Sequence, residues 1–147
     1  MAVVHDVPAT VFVVKAGQKL KETGKVSAPE WVADVKTGSH RQLPPTQPDW
    51  FYTRCASILR RIYMDGPVGV QRLRSLYGGR KNRGVKPDRH ERSGGSVIRE
   101  ALQQLEKAGY VKTVKGGRIV TAQGMQFLDK VATEIVGAEA KETANAA

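Results

Sequence analysis

Cysteine, histidine and acidic residues are the scarce materials of this chain. The single cysteine, Cys55, allows no internal disulfide and no thiolate-rich metal site, and it reads as a small apolar filler. The three histidines, His5, His40 and His90, stand apart without ligand spacing, so neither a metal nor another cofactor is expected. Long apolar runs are missing too. Val11–Val14 is closed off by Lys15, which argues against a leader or a membrane span and for a soluble chain in the reducing cytoplasm. No nucleophile elbow, Walker loop or acidic metal cluster occurs, which points away from an enzyme.

What is present is positive charge. Against 14 acids stand 24 lysines and arginines, a formal +10 at neutral pH. Between Arg72 and Arg92, eight cations (Arg72, Arg74, Arg80, Lys81, Arg83, Lys86, Arg89 and Arg92) meet only Asp88 and Glu91. Charge gathered on a polar, glycine-bearing stretch that cannot be buried calls for a polyanionic partner, nucleic acid first. An anionic membrane is the other option, but no segment pairs a basic face with exposed bulky aromatics. A length of 147 residues with 40% hydrophobic content fits one ordinary domain better than two.

Apolar spacing and punctuation predict the elements. Val7 to Thr23 reads as a helix with Val7, Val11, Val14 and Leu20 on its inner face, stopped by Gly24. Glu30–Val35 forms a short helix entered through Pro29, and Thr37–Pro48, with three prolines, is a loop. Asp49 caps the clearest helix, whose stripe of Phe51, Cys55, Ile58, Leu59 and Ile62 is buried while Trp50, Arg54, Ser57 and Arg61 share another face. A break at Gly66–Gly69 leads to a helix carrying Val70, Leu73 and Leu76 inward, then to the basic loop. Ser93 or Ser96 caps the next helix, with Ile98, Ala101, Leu102 and Leu105 inside and Gly109 as its stop. Two β-prone runs, Tyr110–Val114 and Arg118–Val120, flank Lys115-Gly116-Gly117 as a hairpin. Thr121 caps a last helix with Met125, Leu128, Ala132 and Ile135 inward, and the chain beyond Gly137 frays.

This order predicts a mainly α fold: a winged helix-turn-helix core with a small β-hairpin wing and an N-terminal helical extension. A single domain over 1–147 divides into N-terminal helices and loop (6–48), core (49–136) and frayed tail (137–147). In ordinary DNA readers the third core helix enters the major groove. Here its outer face carries Arg99, Glu100, Gln103, Gln104, Glu106 and Lys107, which sum to no net charge. The cations lie instead on Arg54, Arg60, Arg61 and the loop before that helix, which favours irregular folded RNA over a winged-helix DNA regulator.

Candidate phosphate contacts follow. In Tyr77-Gly78-Gly79-Arg80-Lys81-Asn82-Arg83-Gly84, glycines would let backbone amides approach phosphates and arginines would clamp them. Ser93 opens a helix whose amides can receive a phosphate, and a plain cap explains it equally well. Lys36 and His40, with Arg41, form a second, smaller basic spot. Trp50-Phe51-Tyr52 could stack on bases, although packing explains Phe51 and Tyr52 more simply, and Trp31 reads as a packing anchor.

Asp49-Trp50-Phe51-Tyr52-Thr53-Arg54, Gly66-Pro67-Val68-Gly69-Val70 and Tyr77 to Gly84 together resemble one family closely. It is that of the nineteenth eukaryotic-type protein of the small ribosomal subunit, shared by archaea and eukaryotes. Pro29-Glu30-Trp31, Ala101 to Glu106 and Gly117 to Thr121 extend the resemblance from about Asp6 to Ala132, and Ile58–Tyr63 with Gly79–Arg83 looks like the archaeal branch. The resemblance implies a non-enzymatic component of the subunit head that binds ribosomal RNA, touches neighbouring ribosomal proteins, supports maturation and needs no second copy of itself. It implies RNA contacts at Trp50, Arg54, Ser57, Arg60 and Gly78–Gly84. Asp88 to Arg92, the valine run of the first helix and a tail poor in lysine depart from the family pattern.

Overall fold

The computed structural model describes residues 2–147. Five α-helices and two separate two-stranded antiparallel sheets succeed one another, with 3₁₀ turns at Val4–Asp6 and Glu30–Ala33. Helix α1 (Ala9–Thr23) lies against α2 (Trp50–Asp65), which also meets α4 (Gly95–Lys107). Between them come α3 (Val70–Tyr77), β1 (Gly79–Arg83) and β2 (Lys86–Glu91). After α4 follow β3 (Val111–Val114), β4 (Gly117–Val120) and α5 (Ala122–Ala146).

The stripe expected on α2 is buried throughout, and so are Ile98, Ala101, Leu102 and Leu105 of α4. Burial pushes the Cys55 thiol far up, so it stays protonated inside this core. On α1 the expected face holds only in part. Val7, just ahead of it, and Leu20 are buried, but Val11 and Val14 are about half exposed, and Phe12, Ala16 and Gly17 point inward in their place. Phe12 is the largest apolar group of that helix and takes the inner face. Gly17 lets the crossing close, since a Cβ there would lie 3.1 Å from the Thr53 backbone. Leu73 alone is fully buried on α3, because one contact line suffices for a two-turn helix; Leu76 is exposed and Val70 half-buried. Met125 is likewise exposed and Gly124 is buried in its stead, while Leu128, Ala132 and Ile135 point inward as expected.

Helix ends also differ from expectation. Asp49 holds the cap position of α2, but its carboxylate makes no capping hydrogen bond; it accepts from Lys21 Nζ at 2.9 Å, which ties α1 to the start of α2. Neither serine caps α4: Gly94 holds the cap position, and Ser96 Oγ accepts from Arg99. Thr121 caps α5 as expected, accepting from Gly124 N at 3.2 Å while donating to the Gly109 carbonyl at 2.6 Å. The tail past Gly137 stays helical to Ala146, which alanine, glutamate and lysine favour even with nothing to bury. Strands β3 and β4 pair around Lys115-Gly116, as the glycines suggested. Val68 docks on this hairpin like a third strand, exchanging both backbone hydrogen bonds with Arg118 at 3.0 and 3.2 Å.

Candidate nucleic-acid interface

The basic loop is a β-hairpin. Gly79, Arg80 and Lys81 pair with Glu91, His90 and Arg89, and Arg83 pairs with Lys86 across Gly84-Val85. Gly84 takes a φ of 72°, and Asn82 Oδ1 accepts its amide at 2.9 Å. The register slips between Lys81 and Arg83, so the ribbon twists near its tip. Alternation did not announce these strands because neither face is buried; Val85 at the tip is wholly exposed.

Both acids of the hairpin pair locally, Asp88 with Arg80 at 2.8 Å and Glu91 with Arg89 at 3.0 Å. Such exposed pairs are weak and exchange readily for phosphate. Lys81, Arg83, Lys86, Arg92 and, on α3, Arg72 have no carboxylate partner among the described residues. The hairpin is thus a finger with cations on both faces.

Beside its base runs a cleft of about 680 Å³ between the Arg41–Gln47 loop and one face of α2. Trp50, Arg54, Ser57 and Tyr77, all expected contacts, converge on it. The Arg54 guanidinium stands 4.3 Å over the Tyr77 ring, and the Tyr77 and Ser57 hydroxyls hydrogen-bond at 2.6 Å. Burial lowers the Arg54 pKa from the ordinary guanidinium value and raises that of Tyr77. Arg54 remains charged, and no carboxylate pairs with it among the described residues. Trp50 is largely buried, so little of its ring is open to a base where it lines the cleft. Arg41, Gln42, Leu43, Pro44, Pro45, Thr46 and Gln47 form the other wall. Their polar, proline-rich composition marked a loop, but nothing local says which helix that loop covers.

His40 sits at the seam. A Cβ on Gly38 would lie 2.8 Å from its ring and one on Gly79 3.0 Å, so it wedges between the loop and the foot of β1. Both ring nitrogens are buried without a hydrogen bond among the described residues. Desolvation, then the charges of Arg41, His90, Arg54 and Lys36, holds its pKa below the usual value. Gly38 bridges to Ser93, and Thr37 O accepts from Gly94 N at 2.8 Å, which fastens the loop to the start of α4.

Several expected contacts have internal duties. Arg74 donates from Nε to the Ser93 carbonyl at 3.0 Å, and Ser93 is buried, so neither is free to meet a phosphate. Gly78 and Gly79 serve close packing: a Cβ on Gly78 would run into the Glu91 carbonyl oxygen. Arg61 pairs with Asp65 at 2.6 Å, and Arg60 stands outside the cleft with a buried, unpartnered Nε. Lys36 is exposed beside a second hollow at the N-terminus of α4.

Among the described residues no histidine, cysteine or carboxylate cluster could hold a metal, and no helix is long and apolar enough to cross a membrane. Fold and surface thus define a class: a basic, mainly helical protein with a cation-rich finger. Its sequence matches the profile of the family described as ribosomal protein S19e over residues 3–138, and the chain belongs to that family of non-enzymatic ribosomal proteins. It is 43% identical over 139 residues to small ribosomal subunit protein eS19A of Schizosaccharomyces pombe, covering 94% of this chain and 96% of that protein. To small ribosomal subunit protein eS19 of Aeropyrum pernix it is 46% identical over 134 residues, 89% of this chain and 88% of the other. To small ribosomal subunit protein eS19B of Drosophila melanogaster it is 42% identical over 142 residues, 96% and 92% of the two chains. Similarity this even between an archaeon and eukaryotes does not assign the chain to the archaeal branch.

Proposed function

We propose that this chain is a structural constituent of the small ribosomal subunit, gripping ribosomal RNA of the head and supporting its assembly and maturation. The carrying observation is the set of carboxylate-free cations on the finger β1–β2, beside a cleft containing an unneutralised arginine. Helices α2 to α4 with β3–β4 are read as a winged-helix core and its wing, used as a rigid support for that surface. The outer face of α4 speaks against groove reading: Gln104 donates to Glu100, and Glu106 accepts from Thr113. Arg54, Ser57, Arg72, Tyr77, Arg80, Lys81, Arg83, Lys86, Arg89 and Arg92 are the contacts this reading retains. Neighbouring subunit proteins complete the partners, and no second copy is required.

The test is incorporation. The triple variant Lys81→Glu, Arg83→Glu, Lys86→Glu should fold as the wild type does by circular dichroism, yet be missing from small subunits sedimented in a sucrose gradient. Normal incorporation would refute the role given to the finger.

A further inference from the structure

We propose that the cleft between the Arg41–Gln47 loop and α2 seats one unpaired nucleotide of the RNA, its base inside and its phosphate on Arg41 and Arg54. This rests on the RNA-binding reading above and names what that part of the surface takes.

A volume of about 680 Å³ is that of a small-molecule site and far exceeds what a lone phosphate fills. Its walls are mixed in the way a nucleobase needs. Leu43, 76% exposed, with Pro44 and Pro45 offers apolar surface to a ring, and Trp50 adds a small share. Gln42 and Gln47 carry amides that can both donate to and accept from a base edge.

Arg54 supplies the second, independent argument. Held over the Tyr77 ring, its guanidinium is positioned and partly desolvated. Arg41, a second cation, lines the same cleft and lowers the Arg54 pKa further, and no carboxylate answers either cation among the described residues. A half-buried cation with a like charge beside it lacks an anion, and a phosphate bound there would relieve both. A continuous A-form duplex hides its base faces within the stack, so only an extruded nucleotide can present base and phosphate to such a recess. A bulge is the cheapest source, since its base is already unpaired.

The test uses the full chain and two RNA hairpins that differ by a single bulged adenosine, with binding followed at fixed, modest salt. The wild type should bind the bulged hairpin about tenfold more tightly, the scale of one stacked base. Thr46→Trp, which fills the cleft from an exposed position, and Leu43→Glu, which sets an anion at its mouth, should each remove that preference. Both should still bind the paired hairpin, whereas Lys81→Glu should weaken both RNAs alike. Equal wild-type affinity for the two RNAs, or a preference surviving both cleft variants, would overturn the seat while leaving the RNA reading intact. Failure to bind either RNA would bring down both.

Discussion

At the scale of single residues, the glycines of the Gly78-Gly79 pair show what composition can and cannot say. They were read as letting phosphate approach the backbone, but what comes close is the Glu91 carbonyl and the His40 ring, which arrive from elsewhere in the chain. Gly78→Ala should therefore destabilise the fold by about 1–3 kcal/mol, as overpacking does. Gly69→Ala, where nothing lies within 4 Å and φ is −94°, should cost much less; urea denaturation compares the two. His40 gives a pH prediction. Its folded pKa is depressed, so the unfolded chain binds the proton more readily. The stability from its neutral form is complete above the ordinary value of 6.5 and is lost as pH falls through the lowered one. Unfolding measured at about pH 7.5 and about pH 5 should show a larger loss for wild type than for His40→Gln.

Elements were legible wherever one face is buried. Helices α2 and α4 announced themselves because apolar residues recur at the helical period and the interior accepts that stripe. The finger β1–β2 did not, because a ribbon wetted on both sides needs no apolar alternation and is fixed by backbone pairing and its turn. Two-stranded ribbons are marginal alone. Amides of β1–β2 should thus exchange with solvent faster than those of β3–β4, which Val68 and α4 support, and should become protected when RNA binds. The end of α5 failed to be foreseen for the opposite reason: intrinsic propensity keeps it helical where packing contributes nothing. Removing residues 138–147 should change stability by less than about 0.5 kcal/mol, which thermal unfolding will register.

Over the whole molecule, net charge pointed to a polyanionic partner, and only the fold told where the charge is free. Arg74, counted among the cations from sequence, is engaged inside the protein, while Arg54 is held open toward the cleft. Affinity for single-stranded or irregular RNA should fall with salt by about 0.7 log units per phosphate contact for each log of salt. The slope should be shallower by about 2 after Lys81, Arg83 and Lys86 are reversed, if those three meet phosphate in solution. The loop covering α2 could not be placed from sequence, because a proline-rich segment encodes its own stiffness and not its destination. Its anchorage has a thermodynamic consequence. Gly38 is clasped to Ser93, two residues beyond the end of β2, so the wall of the cleft and the root of the finger share one support. Any coupling between the two grips runs through this clasp, and by reciprocity it has the same size in both directions.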